Sequence, residues 1–527
     1  MDTSSESVRT FFRGKTIFVT GATGFVGRFL VYKMLKDLDV RRIYICLRSK
    51  KGVCVQDRER QYKALELFTY LPSKSLLDKV TAMAGDVSKE NLDLSEEDLQ
   101  TIYNEVNIVY HSAATVKFNE ALKTASTLHI LGTKYVIDIS KQIKNLDIFV
   151  HLSSVGAWCA NDVLVEKIPD PPHDPMQFAM KFLRMSDEEA KSCEKDYIGK
   201  RPKYMNSYTL TKSLAEVIVR REAHNFKKVI VVRPPFILSP VRDPELGWFD
   251  EPQTGAGLGA LFSLGLLRMG NLRLDYPLEA VPVDMCVNAL ITLPWYMVQK
   301  SQERLQVFNM SSSRDRPVTG RDMFGIGIRL GYLYPSLKQI RPPVEEYHYV
   351  PTRAYVAIKA FFTHTLFSLM IDFLLLITGQ KPMMYKLTTK LVNAVRQIFE
   401  TMNDYKEELI VEMGNLDLVY GQGVRVLSDE EKKIFDYNLL DIDWIQGGYA
   451  NHLRFRRHVL KEPDSTLEYA RKRLKVIDVL YRVFKLFVWA AVAAVVYGGH
   501  LLLYNIPILW FPWVAVVSTG LAIMIIQ

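Results

Sequence analysis

A short apolar strand, Lys15–Thr20, runs directly into Thr20-Gly21-Ala22-Thr23-Gly24-Phe25-Val26-Gly27, and Phe25–Leu35 then has helical periodicity. Three glycines on such a strand–turn–helix junction leave a chain few folds to choose from. Gly21 allows the tight turn, Gly24 lets the backbone come close to a pyrophosphate, and Gly27 lets helix and strand pack closely. The start of the helix adds N–H groups and positive potential for an anion. The spacing is GxxGxxG. In this setting it predicts a dinucleotide held by Thr20, Gly21, Thr23, Gly24, Phe25, Val26 and Gly27.

Further strands are expected at Arg42–Leu47, Lys79–Ala84, Asn107–His111, Ile148–Leu152 and Val229–Val232. Helical lengths separate them, which predicts a parallel sheet with crossovers. Their apolar runs are continuous rather than alternating, as in strands covered on both faces. The fold class expected is α/β, a doubly wound parallel sheet. The expected divisions are a polar tail over 1–13, the sheet domain with insertions over 14–344, a mainly helical region over 345–480, and a membrane segment over 486–527.

That last segment contains no Asp, Glu, Lys or Arg from Leu486 to Gln527. A helix needs about 20 apolar residues to cross a bilayer, so two passes fit, Leu486–Tyr504 and Ile508–Ile526, broken at Asn505-Ile506-Pro507. Trp489, Tyr497, Tyr504, Trp510 and Trp513 suit the membrane interface, and the basic run Arg471, Lys472, Arg473, Lys475, Arg482 and Lys485 marks the cytosolic side. Phe361–Thr378 is also apolar, but His364 and Asp372 favour a helix packed on protein or dipping into the interface.

Lys+Arg number 67 and Asp+Glu 58, so the net charge of +9 is too mild over 527 residues to argue for nucleic acid as a partner. Cys46, Cys54, Cys159, Cys193 and Cys286 are odd in number and lack CxxC spacing, which excludes a disulfide scaffold and offers no metal site. The N-terminus lacks the apolar stretch of a secretory signal.

The second strand ends in Cys46-Leu47-Arg48-Ser49, with no acid to hold the ribose hydroxyls of NAD. Arg48 can instead bond a 2′-phosphate, so NADPH is the expected cofactor. Asp86, after Gly85, can accept from an adenine amino group; an ordinary loop aspartate is the alternative. Tyr208 and Lys212, in Ser207-Tyr208-Thr209-Leu210-Thr211-Lys212, fall on one face of a helix. An ammonium beside a phenol favours phenolate and brings it toward the working range. Ser153 and Ser154 end the strand Ile148–Leu152, where a hydroxyl can donate to a developing oxyanion.

TGATGFVG, HSAAT (111–115), the Ser-Ser strand end, YTLTK and Arg233-Pro234-Pro235 resemble the extended short-chain dehydrogenase/reductases. HSAATVKFNE (111–120), GWFD (247–250), VPVDMCVNA (281–289), TGQKP (378–382) and Asp443-Trp444 resemble, within them, the alcohol-forming fatty acyl-CoA reductases, over roughly residues 14–470. The resemblance implies a Rossmann-type extended fold and the four-electron reduction of long-chain acyl-CoA to a primary alcohol with two NADPH, through an aldehyde. It implies Tyr208 as proton donor, Lys212 as its partner and Ser154, rather than Ser153, as the carbonyl-orienting hydroxyl. It also places Ala113, Tyr208, Lys212 and Pro234 at the cofactor.

Two departures stand out. His129 occupies the position where the family carries an Asn that helps hold the active-site Lys, and Glu251-Pro252-Gln253-Thr254-Gly255 replaces an Asn-Gly-Pro-rich loop. The insertion between Ser154 and Tyr208, with a charged helix over Ser186–Lys195, is expected to form a lid and acyl tunnel with the 345–480 helices. Lys200, Arg201 and Lys203 are read as surface charge more readily than as a contact to CoA phosphates. The resemblance and the tail together imply membrane lipid as a partner and the cytosolic face of the endoplasmic reticulum, with peroxisome or lipid droplet as alternatives. The sequence leaves the oligomeric state open. Other functions compatible with these residues are a membrane-bound reductase of a hydroxysteroid or nucleotide sugar, and a non-catalytic lipid-surface scaffold.

Overall fold

The computed structural model describes residues 7–49, 52–118, 120–158, 163–171, 173–198, 206–250, 254–267, 277–311, 318–343, 360–403, 410–439 and 442–504. The chain forms two compact units, neither of them one continuous segment. The first comprises Met1–Leu246, Leu278–Pro317 and Asp404–Asp443; the second comprises Gly247–Pro277, Val318–Asn403 and Trp444–Gln527.

The first unit is built on seven strands: β1 (Thr16–Thr20), β2 (Arg42–Leu47), β3 (Val80–Ala84), β4 (Ile108–His111), β5 (Ile148–Leu152), β6 (Val229–Arg233) and β7 (Leu305–Asn309). They pair in the order β7-β6-β5-β4-β1-β2-β3, every pair parallel. All five residues of β1 and of β6 are buried, as two-sided cover demands. The order reverses at β1, which lies between β2 and β4, and a ligand crevice opens at such a switch beyond the carboxyl ends of the strands. Register brings Thr20 opposite His111 and His111 opposite His151 along that edge.

The six expected strands are present within a residue of their expected ends. β7 was not expected: Gln306 interrupts its apolar run, and it is an edge strand held by β6 alone. Within the stretch expected to be a polar tail, α1 (Val8–Phe12) is a helix capped by Ser7, and it buries Val8, Phe11 and Phe12. The segment 410–443 returns to the sheet unit. Its Ile410–Val411 pairs in parallel with Val163–Leu164, and Asn309 Nδ2 donates to the carbonyls of Leu164 and Glu412, 2.9 Å each.

In the second unit the helices Thr254–Ser263, Gly320–Leu333 and Trp444–Arg454 pack together. Phe249, Ala260, Leu264 and Phe455 form a core there. Among the described residues no helix is long and apolar enough to cross a membrane. The expected first pass, Leu486–Tyr504, is the end of one continuous helix, Leu467–Tyr504, whose first half is charged. The expected second pass, Ile508–Ile526, lies outside the described residues.

Candidate active site

β1 delivers Thr20 to the crevice edge, and Gly21 turns the chain with a φ of 77°. A Cβ on Gly21 would lie 2.5 Å from the Ala113 amide nitrogen, so the turn and the segment after β4 touch through bare backbone. A Cβ on Gly27 would come within 2.3 Å of the Gly21 carbonyl oxygen, whereas one on Gly24 would meet only that same oxygen, at 3.2 Å. Gly27 therefore seats the helix on the turn, and space remains beside Gly24. The helix α2 (Phe25–Asp37) begins there with no side-chain cap and no acidic residue in its first turn. Thr23 and Gly24 are exposed, and Phe25 and Val26 half-buried, around these amides. An unobstructed helix start of this kind suits a pyrophosphate.

At the tip of β2 the Arg48 side chain is exposed, with Nη1 3.9 Å from Asp86 Oδ2. The other Asp86 oxygen accepts from Ser88 N at 2.9 Å and Ser88 Oγ at 2.8 Å, so this carboxylate also organises its own turn. Arg58, on the helix Val55–Lys63, donates to the Arg48 carbonyl and brings a second guanidinium to the same corner. Sequence reasoning missed Arg58. Its only signal is its position one helical turn past the β2 loop.

The reacting groups lie at the tip of β5. Tyr208 is in the first turn of α3 (Ser207–Glu222), fixed by an Asn206 capping box with Thr209 and by Ser207 Oγ donating to the carbonyls of Phe118 (3.1 Å) and Glu120 (2.6 Å). Its ring meets Phe118 and His129 edge-on, centroids 5.6 Å apart in each case. The Ser154 side chain lies close enough to the phenol to draw its pKa down, and Ser154 Oγ accepts from Gly156 N at 3.1 Å. Lys212, one turn along α3, is buried and donates from Nζ to the Leu152 carbonyl at 2.8 Å. The two serines are thereby distinguished. Ser153 is buried and donates to Glu216, while Ser154 faces the tyrosine. Pro234 follows β6, and its carbonyl accepts from Val155 N at 3.2 Å, beside the Ser154 turn.

Burial pushes the Tyr208 phenol up, and the neighbouring Ser154 side chain pulls it partly back down. Lys212 reaches the backbone at the Leu152 carbonyl. Burial lowers its ammonium to about 8, with the Glu216 carboxylate opposing the shift.

His129 is fully committed. His129 Nδ1 lies 2.7 Å from Thr211 Oγ1, which also reaches the Ser207 carbonyl at 2.6 Å. Nε2 lies 3.2 Å from Thr115 N and 3.1 Å from the Thr115 carbonyl oxygen. Burial holds this imidazole well below its ordinary pKa, in keeping with a neutral ring. The ring thus ties the segment after β4 to the tyrosine helix. It does not contact Lys212 through a side-chain hydrogen bond, and its carbonyl accepts from Thr133 Oγ1 at 2.5 Å.

Sequence reasoning also missed Glu216. This carboxylate is fully buried and ion-paired to Arg233 at 2.6 Å; it further accepts from Trp158 Nε1 at 2.6 Å and from Ser153. The available signal was its spacing of four from Lys212. Two motifs that carry the family resemblance are architectural. Asp284 of VPVD accepts from the backbone amides of Val241, Arg242 and Asp243. In GWFD, Trp248 is buried under Arg454, whose Nε donates to the Phe249 carbonyl at 2.6 Å. The insertion after Ser154 forms the helices Pro175–Arg184 and Asp187–Tyr197, joined to the preceding core by Lys123, which bonds the Met185 carbonyl and Asp187. Lys200, Arg201, Lys203 and 251–253 lie outside the described residues.

The parallel sheet, the glycine turn and the Ser154–Tyr208–Lys212 group define a Rossmann-type, nicotinamide-dependent oxidoreductase. The NAD-binding family described as "Male sterility protein" matches residues 19–290. The chain is 31% identical to the fatty acyl-CoA reductase wat of Drosophila melanogaster, over 91% of each protein, and 30% identical to fatty acyl-CoA reductase 1 of Rattus norvegicus, over 89% of each. It belongs to the fatty acyl-CoA reductase family. Among solved structures, the terminal R domain of the myxalamid PKS-NRPS pathway shares its fold, with a TM-score of 0.55 at 18% identity over 86% of this chain and 93% of that one.

Proposed function

We propose that the protein reduces long-chain fatty acyl-CoA to a primary alcohol, consuming two NADPH and two protons and releasing CoA. The observation that carries this reading is the convergence at the tip of β5 of Ser154, Tyr208 in the first turn of α3, and Lys212 one turn on, bonded to the Leu152 carbonyl. NADPH, when bound, supplies the hydride in each of the two reductions. The backbone cradle at Gly21–Gly27 fits its pyrophosphate, and Arg48 and Arg58 favour a 2′-phosphate over a bare ribose.

The protein's own groups act on the carbonyl oxygen. As negative charge develops there, the Ser154 hydroxyl and the Tyr208 phenol donate to it. Collapse of the resulting hemithioacetal expels CoA thiol and leaves the aldehyde. In the second reduction Tyr208 gives its proton to the alkoxide. Lys212, charged beside Glu216, stabilises the tyrosinate this leaves.

The charge-free stretch from Leu486 onward and the basic run before it support attachment to a membrane with the catalytic unit cytosolic, at the endoplasmic reticulum. Fatty substrates and products concentrate there.

The test is product analysis: full-length protein, long-chain acyl-CoA and NADPH, followed by lipid chromatography. Fatty alcohol from the wild type and none from Tyr208→Phe is the expected result. NADPH oxidation with a steroid or sugar nucleotide but not with acyl-CoA would reverse the assignment.

A further inference from the structure

In the second unit, α4 (Phe367–Ile377) and α5 (Met384–Asn403) form a helical hairpin whose polarity is inverted. Its interior is polar. Ser368 Oγ donates to Thr388 Oγ1 at 2.9 Å, both buried, and the Asp372 carboxylate caps the start of α5, accepting from the amides of Met383, Met384 and Tyr385 at 2.8, 2.8 and 2.9 Å. Its exterior is apolar. Leu369, Phe373, Leu374, Leu376 and Ile377 point outward, with Phe373 62% and Ile377 66% exposed, and Met383 continues the surface across the turn. A helix pair in water ordinarily places such residues the other way round. Between 367 and 391 the only acid is the capped Asp372, whereas Lys381, Lys386 and Lys390 are all exposed.

We infer that this hairpin is a membrane-contact surface, its outward face seated in the headgroup–acyl boundary of a bilayer containing anionic lipid. Each feature selects that occupant. Polar groups satisfied within the pair and apolar ones outside is the arrangement hydrocarbon requires. Lysines bordering the apolar face can extend toward anionic headgroups. Among the described residues no helix is long and apolar enough to cross a membrane, so the hairpin lies along one leaflet and does not span. Phe367, at the base of α4, packs edge-on against Phe484 at 5.7 Å and Tyr481 at 6.2 Å, just ahead of the point where the final helix becomes charge-free. The hairpin is therefore rooted beside the expected anchor. The inference rests on the proposed membrane attachment only for the presence of a bilayer.

The test uses the full chain with benzoylphenylalanine placed singly at 373 or 377, and at the exposed Val426 as control, incubated with phosphatidylcholine–phosphatidylserine vesicles and irradiated. Phospholipid adducts at 373 and 377, several-fold above those at 426, are the expected result. Adducts to a second copy, adducts to residues 505–527, or a yield no higher than at 426 would each overturn it. Flotation of the unsubstituted chain reports separately on attachment. A chain that floats without lipid adducts at 373 and 377 refutes the hairpin and leaves the tail reading standing.

Discussion

Glu216 and Arg233 pair at 2.6 Å with neither side chain exposed, and this pair holds the strand end from which Ser154 projects. Arg233 also donates to the carbonyls of Val165 and Lys167 and to Asn309 Oδ1. Glu216→Ala would leave the guanidinium buried and unpaired, which costs ~3–5 kcal/mol. Chemical denaturation should show that loss. A variant as stable as the wild type would mean that the pair holds nothing in place.

The two adjacent serines should separate cleanly. Ser154→Ala removes a donor to the developing oxyanion and should lower kcat by roughly a hundred- to thousandfold while melting is unchanged. Ser153→Ala removes a donor to Glu216 and should chiefly lower the melting temperature. Turnover numbers and thermal melts on both variants decide the assignment, and equal kinetic defects would undo it.

Activity should fall as pH rises through about 8, where buried Lys212 sheds its proton. The sign follows from the shift. A lysine depressed below its ordinary 10.5 is costly to keep charged in the folded protein, so that cost disappears as pH rises from about 8 toward 10.5, and the charge goes with it. The Glu216 carboxylate props the charge up, so Glu216→Gln should move the alkaline limb of the kcat profile to lower pH. An unmoved limb would separate Lys212 from Glu216.

Gly21→Ala and Gly24→Ala should fail differently. The first demands a Cβ at positive φ and 2.5 Å from the Ala113 backbone, so the fold and NADPH binding should be lost together. The second meets one oxygen at 3.2 Å and should keep the fold while weakening NADPH affinity. Calorimetric titration beside circular dichroism distinguishes them.

Arg48→Ala should raise the KM for NADPH by about ten- to a hundredfold, the worth of a hydrogen bond to a charged group, and leave the KM for NADH nearly unchanged. An equal rise for both cofactors would remove Arg48 from the phosphate.

The sheet was legible because buried parallel strands are short apolar runs set off by helices, and the glycine turn because backbone geometry admits few residues there. Tyr208, Lys212 and Ser154 came from spacing and resemblance, and the structure brings them together. What sequence could not give was direction. Nothing in the spacing of Tyr208 and Lys212 says that the ammonium turns to the Leu152 carbonyl, or that His129 bonds Thr211 and Thr115. Glu216 was hidden because a helical glutamate ordinarily faces solvent, and β7 because Gln306 breaks an edge strand's pattern.

The return of 410–443 to the sheet unit has a consequence for biosynthesis. Asn309 waits for the Glu412 carbonyl, and Val163–Leu164 for Ile410–Val411, so the nascent reductase unit stays incomplete until more than four hundred residues have left the ribosome. Premature termination before Asp443 would therefore leave a catalytic unit short of its own parts, even though Tyr208 and Lys212 had long since been translated.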